Sequence, residues 1–415
     1  MKHLLLQFIA IFLFVLLGCV PKPQKAAQMI AENFSCAEKQ LTYSFGQIQE
    51  VLDSESPESK ARRERSNSLL TNPRTIEPDG KLRLVPSRDW TSGFFPGELW
   101  YMYEYTGKEE WVNHARHFTD LLEREKFNGG THDMGFKMYC SFGNGLRLTG
   151  DANYRDILLQ SARTLITRYK ENVGCLRSWD HNSDKWQCPV IIDNMMNLEL
   201  LLWAFRESND SIFYNIAVNH ARTTIKNHFR SDYSTYHVVD YDTITGEVLH
   251  RHTHQGFAHE SAWARGQAWG LYGFTMCYRD TKLPEFLEQA RRIENFLFAH
   301  RNMPEDLVPY WDFDAPDIPN EPRDASAAAV IASALYELSG YIPEKAVDYI
   351  AKADKILESL SSPAYCSPLN ENRGFLLLHS TGSKPGNSEI DVPLVYADYY
   401  FLEALLRKGA MLTGK

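Results

Sequence analysis

Six stretches of this chain are nearly free of polar side chains, and each begins just after an acid. Asp89 leads into residues 90–103, Asp133 into 134–139, Asp193 into 194–203, Glu260 into 261–269, Asp324 into 325–332 and Asp391 into 392–399. A helix apolar on all sides is buried in the middle of a fold. An acid directly before a helix is the expected N-cap, and that is the plain reading of Asp193 as of the others. A second pattern interleaves with the first. Thr106-Gly107, Thr149-Gly150, Ser208-Asn209 and Ser339-Gly340 are polar turns followed by amphipathic stretches. Gly or Asn after a helix is the expected C-cap. The repeating unit is therefore a buried helix, a tight turn and an amphipathic helix, which stack as helical hairpins. Six such units close into an all-α (α/α)6 barrel. Its inner helices run parallel, so their acidic N-terminal ends gather at one mouth, on the side of the long loops, where function is expected.

The rest of the chain changes this picture at its edges. Lys2, an apolar run from Leu4 to Leu17 and then Gly18-Cys19 have the form of a secretory signal, too short to span a bilayer. Leu16-Leu17-Gly18-Cys19 resembles a bacterial lipobox. Cys19 is then the expected lipidation site, and residues 1–19 a lipoprotein signal. That places the protein in the bacterial cell envelope, facing periplasm or cell surface and touching the membrane through its lipid alone. Residues 20–28 read as a polar tether and 29–415 as one catalytic domain. Within it, residues 51–89 read as an irregular lead-in with a solvated Arg cluster. A net charge of −9 argues against nucleic acid as a partner. The seven cysteines form no Cys-x-x-Cys pair and show no zinc-ligand spacing, so no metal is expected. Cys140 and Cys277 lie in apolar stretches as buried thiols, while Cys175 and Cys188 flank one loop and could pair.

The loops at the expected mouth are rich in Trp and His. They hold His132, Trp179-Asp180-His181, His237 in an extended run over 236–241, His254-Gln255-Gly256, Arg265 and Trp311-Asp312. Trp faces stack on sugar rings, and Arg, His and Gln bond hydroxyls and carboxylates. With a ring of carboxylates, this composition points to carbohydrate chemistry, two of the acids serving as an acid/base pair. The bland alternatives are a core role for Trp269 and structural donor roles for the histidines.

Thr131-His132-Asp133-Met134-Gly135-Phe136, Ile192-Asp193-Asn194-Met195-Met196-Asn197, His254-Gln255-Gly256 and Arg265-Gly266-Gln267-Ala268-Trp269 together resemble the unsaturated glucuronyl hydrolases of glycoside hydrolase family 88. The resemblance runs through Asp391-Val392-Pro393-Leu394 and implies the same barrel. It implies a substrate too: the 4,5-unsaturated uronic acid that lyases leave at the non-reducing end of glycosaminoglycan fragments of chondroitin, hyaluronan or heparin type. Asp193 then matches the acid/base and Asp133 the second carboxylate. His132, His237, Gln255 and Arg265 match positions at the sugar, and Trp90, Trp179 and Trp269 match aromatic walls. Ser380, Ser383 and Lys384 match a loop that recognises sulfate, although Lys384 directly follows Ser383, a shift from the expected spacing. The chemistry is hydration of the C4=C5 enol ether and needs no cofactor. It requires Asp193 to start protonated, its pKa raised by burial or by Asp133. Two rivals remain at this level: an unsaturated rhamnogalacturonyl hydrolase acting on pectin fragments with the same barrel and chemistry, and a non-catalytic surface glycan-binding lipoprotein.

Overall fold

The computed structural model describes residues 22–65 and 70–414. The signal and Cys19 lie outside the described residues. The chain starts on a long helix, α1 (Lys22–Asp53), followed by α2 (Pro57–Arg65) and an antiparallel hairpin of β1 (Leu70–Ile76) and β2 (Leu82–Pro86). Helical hairpins then follow one another. They are α3 (Phe94–Thr106) with α4 (Glu109–Asp120), and a π-wound segment (Gly135–Gly143) running into α5 (Asn144–Thr149) with α6 (Ala152–Ile166). Next come α7 (Asn194–Ser208) with α8 (Ser211–His228), α9 (Ala264–Thr281) with α10 (Pro284–Ala299), and α11 (Ala325–Ser339) with α12 (Ala346–Leu360). The last inner helix, α13 (Val395–Thr413), takes α1 as its outer neighbour, so the two ends of the chain complete the sixth hairpin.

The inner helices pack in a closed ring, α3 on the π segment, then α7, α9, α11, α13 and back to α3. This is the (α/α)6 barrel that the repeat predicts. The expected turns stand where the chain must reverse: Gly107, Gly150 and Asn209 adopt left-handed conformations, at φ 67°, 69° and 55°. The long loops at the other end carry small sheets. β3 (Tyr169–Lys170) pairs with β4 (Cys175–Leu176). β5 (Pro189–Ile191), β6 (Val238–Tyr241) and β7 (Val248–His252) form a three-stranded sheet, and β8 (Ser380–Ser383) pairs with β9 (Ser388–Val392). Among the described residues no helix is long and apolar enough to cross a membrane.

Three expectations are corrected. Residues 22–28 are not tether but the opening turns of α1; Gln24, Lys25 and Gln28 are solvated and packing on the core begins at Met29, so local helix preference carries these turns. The stretch 51–89 is not irregular. Buried Leu82 and Leu84 alternate with half-buried Arg83 after a Pro78-Asp79-Gly80 turn, which is a strand signal, and the Thr75 hydroxyl donates to the Pro393 carbonyl at 2.7 Å. Cys175 and Cys188 are free thiols, buried in a small cluster with Val173, Val190 and Tyr241.

Candidate active site

Asp193 occupies the N-cap position of α7 but does not cap it. Its φ/ψ of −57°/−26° are already helical and its side chain accepts no cap hydrogen bond. Asp324, by contrast, caps α11 through Ser326 N–H and Ala327 N–H. The Asp193 carboxyl is left facing a cavity of about 200 Å³ at the mouth of the barrel, with its Oδ2 unpaired. Burial pushes its pKa up to about 7, helped by Asp133 and opposed by Arg265.

Asp133 enters the same cavity just before the π segment, a winding often found at functional sites. Its Oδ2 accepts from the Thr131 hydroxyl at 2.8 Å, and its Oδ1 lies 3.1 Å from Nε2 of buried His132. The other ring nitrogen of His132 meets the Ser178 carbonyl at 2.7 Å. The π segment is set against α7 by Gly135, where a Cβ would come within 2.7 Å of the Asn197 Cα, and by the Phe136 N–H donating to Asn197 at 3.0 Å.

His237 stands behind Asp193. Its Nδ1 accepts two backbone N–H bonds, from His254 and Gln255, each 3.1 Å long. Nδ1 is therefore an acceptor, and the ring proton sits on Nε2, which lies 3.8 Å from Asp193 Oδ2. Burial, with His254 and Arg265 adding to it, holds His237 neutral, its pKa well below the usual value.

Arg265 is buried and committed to the protein. It donates to Asp324 at 2.6 Å, to the Thr381 carbonyl at 2.5 Å and to the Gly382 carbonyl at 2.6 Å. Gln255 donates to the same Gly382 carbonyl at 3.0 Å. These bonds pin the β8–β9 hairpin as one wall of the cavity. Trp90 forms another wall, with Tyr396 at 5.0 Å between ring centroids.

The remaining expectations divide. Ser383 lines the cavity. Ser380 does not: it is fully buried with its hydroxyl unpaired, next to an irregularity in the β8–β9 pairing. Lys384 is not at the cavity either. It is bound in an ion pair to the buried Glu321 carboxylate and lies over the Trp311 ring. Trp179 stands at the rim, stacked on His181 and 5.8 Å from the His254 ring, and Trp269 is fully buried beside Asp193. Glu260, which opens the fourth apolar stretch, is solvent-exposed and binds Arg230 and Tyr236.

Sequence reasoning missed Arg74, Ile191, Ser388, Glu389 and Tyr396. Arg74 joins Glu389 through Nε at 2.5 Å and Asp89 through a terminal nitrogen at 2.9 Å, tying the β1–β2 hairpin to the β8–β9 hairpin across the mouth. Nothing near Arg74 in the sequence marks this, since Glu389 lies 315 positions away. A larger cavity of about 360 Å³ lies at the short-turn end of the barrel. Its Arg279 and Arg407 are paired with Glu199, Glu337 and Glu403, and it holds neither mouth carboxylate. Among the described residues no group of three or more His, Cys, Asp or Glu side chains is arranged to hold a metal ion.

A buried carboxyl whose pKa is raised to about 7, beside a second acid in a cavity with room for one sugar ring, is suited to proton donation onto a bound sugar. The Glycosyl Hydrolase Family 88 model matches residues 65–400. An unsaturated glucuronyl hydrolase of Formosa agariphila is 55% identical over 329 residues, which is 79% of this chain and 82% of that protein. An unsaturated chondroitin disaccharide hydrolase of Streptococcus pneumoniae is 32% identical, over 79% of this chain and 84% of its own. The crystal structure of an unsaturated glucuronyl hydrolase specific for heparin superposes with a TM-score of 0.85 at 48% identity, covering 94% of this chain and 98% of the other.

Proposed function

Because the chain belongs to glycoside hydrolase family 88, we propose that it removes the 4,5-unsaturated uronic acid from the non-reducing end of lyase-generated glycosaminoglycan oligosaccharides. The observation that carries this reading is Asp193, an acid held near pH 7 by burial inside a cavity one ring in size. Asp193 gives its proton to C4 of the enol ether, and the ring oxygen stabilises the resulting cation at C5. Water bonds to C5 and loses a proton. The hemiketal then opens, expelling the leaving sugar and giving a keto acid. Asp133 holds ring hydroxyls through its fixed carboxylate, and Trp90 packs on the ring face. Neutral His237 directs its Nε2 proton toward Asp193, where it meets a water or a hydroxyl of the bound sugar.

The pectin-fragment and glycan-binding rivals have less support. The curated relatives named above are glucuronyl and chondroitin disaccharide hydrolases, and the cavity brings both carboxylates together. The test is ultraviolet absorbance over time with unsaturated disaccharides from chondroitin, hyaluronan and heparin digests. The conjugated uronate absorbs and its hydrated product does not. Absorbance is expected to fall with the parent protein and to stay constant with Asp193→Asn, which still binds. Substantial turnover by that variant would remove Asp193 from the acid's role.

The likeness to a heparin-specific structure makes heparin-type disaccharides the first to try. We also propose an envelope location through acylation at Cys19, on the strength of the Leu16-Leu17-Gly18-Cys19 run. Cells fed a labelled fatty acid should label the protein and fail to label Cys19→Ser; equal labelling of both would refute it.

A further inference from the structure

The turn that follows β7 brings Gln255 to the cavity. Three consecutive backbone N–H groups of this turn are each taken by an imidazole. Thr253 N–H donates to Nδ1 of His259 at 3.2 Å, and the N–H groups of His254 and Gln255 donate to Nδ1 of His237 at 3.1 Å each. A ring nitrogen that accepts from N–H carries no proton. The turn is thus held by two neutral imidazoles. They differ in their access to water: His237 is buried and held neutral, whereas His259 is solvent-exposed. In neutral His259 the ring proton is on Nε2, so a second proton goes to Nδ1, the nitrogen that Thr253 needs.

We propose that His259 is a positioning residue whose neutral ring latches the 253–255 turn and so holds Gln255 at the cavity, and that a proton on its Nδ1 releases the latch. The effect reaches the site through Gln255, which donates to the Gly382 carbonyl at 3.0 Å, the same carbonyl that Arg265 grips at 2.6 Å. The rest of the loop is anchored without an imidazole acceptor. The Thr253 hydroxyl accepts from Gly256 N–H at 2.7 Å, and Asp312 accepts from Phe257 N–H at 2.9 Å and from the Ser261 hydroxyl at 2.7 Å. Release therefore loosens the turn without unfolding the loop.

Other titratable groups surround the latch. His252 on β7 lies 4.2 Å from the His259 ring between centroids, and His250 lies 4.3 Å from His252. Burial, with His259, His250 and Lys185 adding to it, lowers the His252 pKa to about 4, so this ring stays neutral as His259 changes. Asp240 on β6 stands 3.6 Å from His250. Glu260 is engaged by Arg230 at 3.3 Å and by the Tyr236 hydroxyl at 2.8 Å, and Arg230 also donates to the His259 carbonyl at 2.9 Å.

Hydrogen exchange read by mass spectrometry tests the latch without substrate, with an unstructured peptide of the same sequence correcting for intrinsic pH dependence. Histidines take up a proton between roughly pH 8 and pH 5. Across that range the protection of residues 253–255 should fall roughly threefold or more in the parent protein. It should stay level in His259→Asn, whose side-chain oxygen accepts at either pH. Protection that is constant in the parent, or that falls equally in His259→Asn, overturns the proposal. The consequence for turnover rests on the function proposed above. With a disaccharide that is turned over, acid should raise KM in the parent by a similar factor and change kcat less. His259→Asn should hold KM level, and His259→Phe, which has no acceptor, should show the raised KM at both ends of the range. An equal rise of KM with acid in the parent and in His259→Asn overturns the proposal. Absence of turnover with every disaccharide would instead count against the proposed function, and the exchange result would decide the latch by itself.

Discussion

With Asp193 as the proposed acid, a single side chain sets the expected pH behaviour of both catalysis and stability. Burial raises its pKa to about 7 in the folded protein, so the protonated, reactive form is present below that pH and lost above it. The kcat/KM profile should therefore fall on the alkaline side, beginning near neutrality. The same shift works against the fold. An unfolded chain ionises Asp193 at the ordinary carboxylate value, so folding stability is lost as the pH rises from there through the folded value. Asp193→Asn should thus melt higher than the parent at pH 8, by roughly 1–3 kcal/mol of stability, and show little gain at pH 4. Melting curves at the two pH values decide; a variant no more stable at pH 8 would mean that Asp193 is not held neutral. At this scale the sequence singled out Asp193 and Asp133, which the structure brings to one cavity, whereas Lys384 stands apart from it. Lys384 sits beside Ser383 in the chain, but the Glu321 carboxylate draws it away from the cavity.

Helices and hairpins set where these side chains stand. The π segment lies against α7 at Gly135, and the added methyl of Gly135→Ala would meet backbone, the Asn197 Cα at 2.7 Å, rather than a side chain able to swing aside. We expect that substitution to cost about 2 kcal/mol or more by overpacking, and to lower kcat as well, because Asp133 leads directly into the segment. Denaturant unfolding together with the absorbance assay would show both effects; full activity at unchanged stability would mean that the contact is loose. The alternation of Leu82 and Leu84 and the Pro78-Asp79-Gly80 turn were legible as a hairpin, but the charged surroundings hid them. The extended run over 236–241 was legible and became β6.

The N-terminal helix completes the outer layer of the barrel. On α1, Ile30, Phe34 and Leu41 are buried in the main core, and the Gln40 amide donates to the carbonyls of Glu371 at 3.2 Å and Phe375 at 3.1 Å. A chain that begins at Met29 should melt within a degree or two of one that begins at Lys22, since the turns removed are solvated. A chain that begins after Asp53 should fail to give a cooperative transition, because α13 and α3 lose their outer cover. A folded, active protein lacking all of α1 would show that the sixth hairpin is dispensable.

The sequence by itself determined the inner helices of the hairpins, most of the turns between them and the acids Asp133, Asp193 and Asp324 ahead of three of them. Each of these is written in periods of a few residues and in local caps, where the physics is short-range. Only the tertiary structure decided that Asp193 leaves its helix uncapped, that Arg265 grips the β8–β9 hairpin, and that Arg74 reaches Glu389 across the mouth. It also decided that Nδ1 of His132 donates to a carbonyl while Nδ1 of His237 accepts from backbone N–H groups. Those outcomes depend on partners tens to hundreds of positions away and on the exclusion of water that their meeting brings about. No window of the chain contains either.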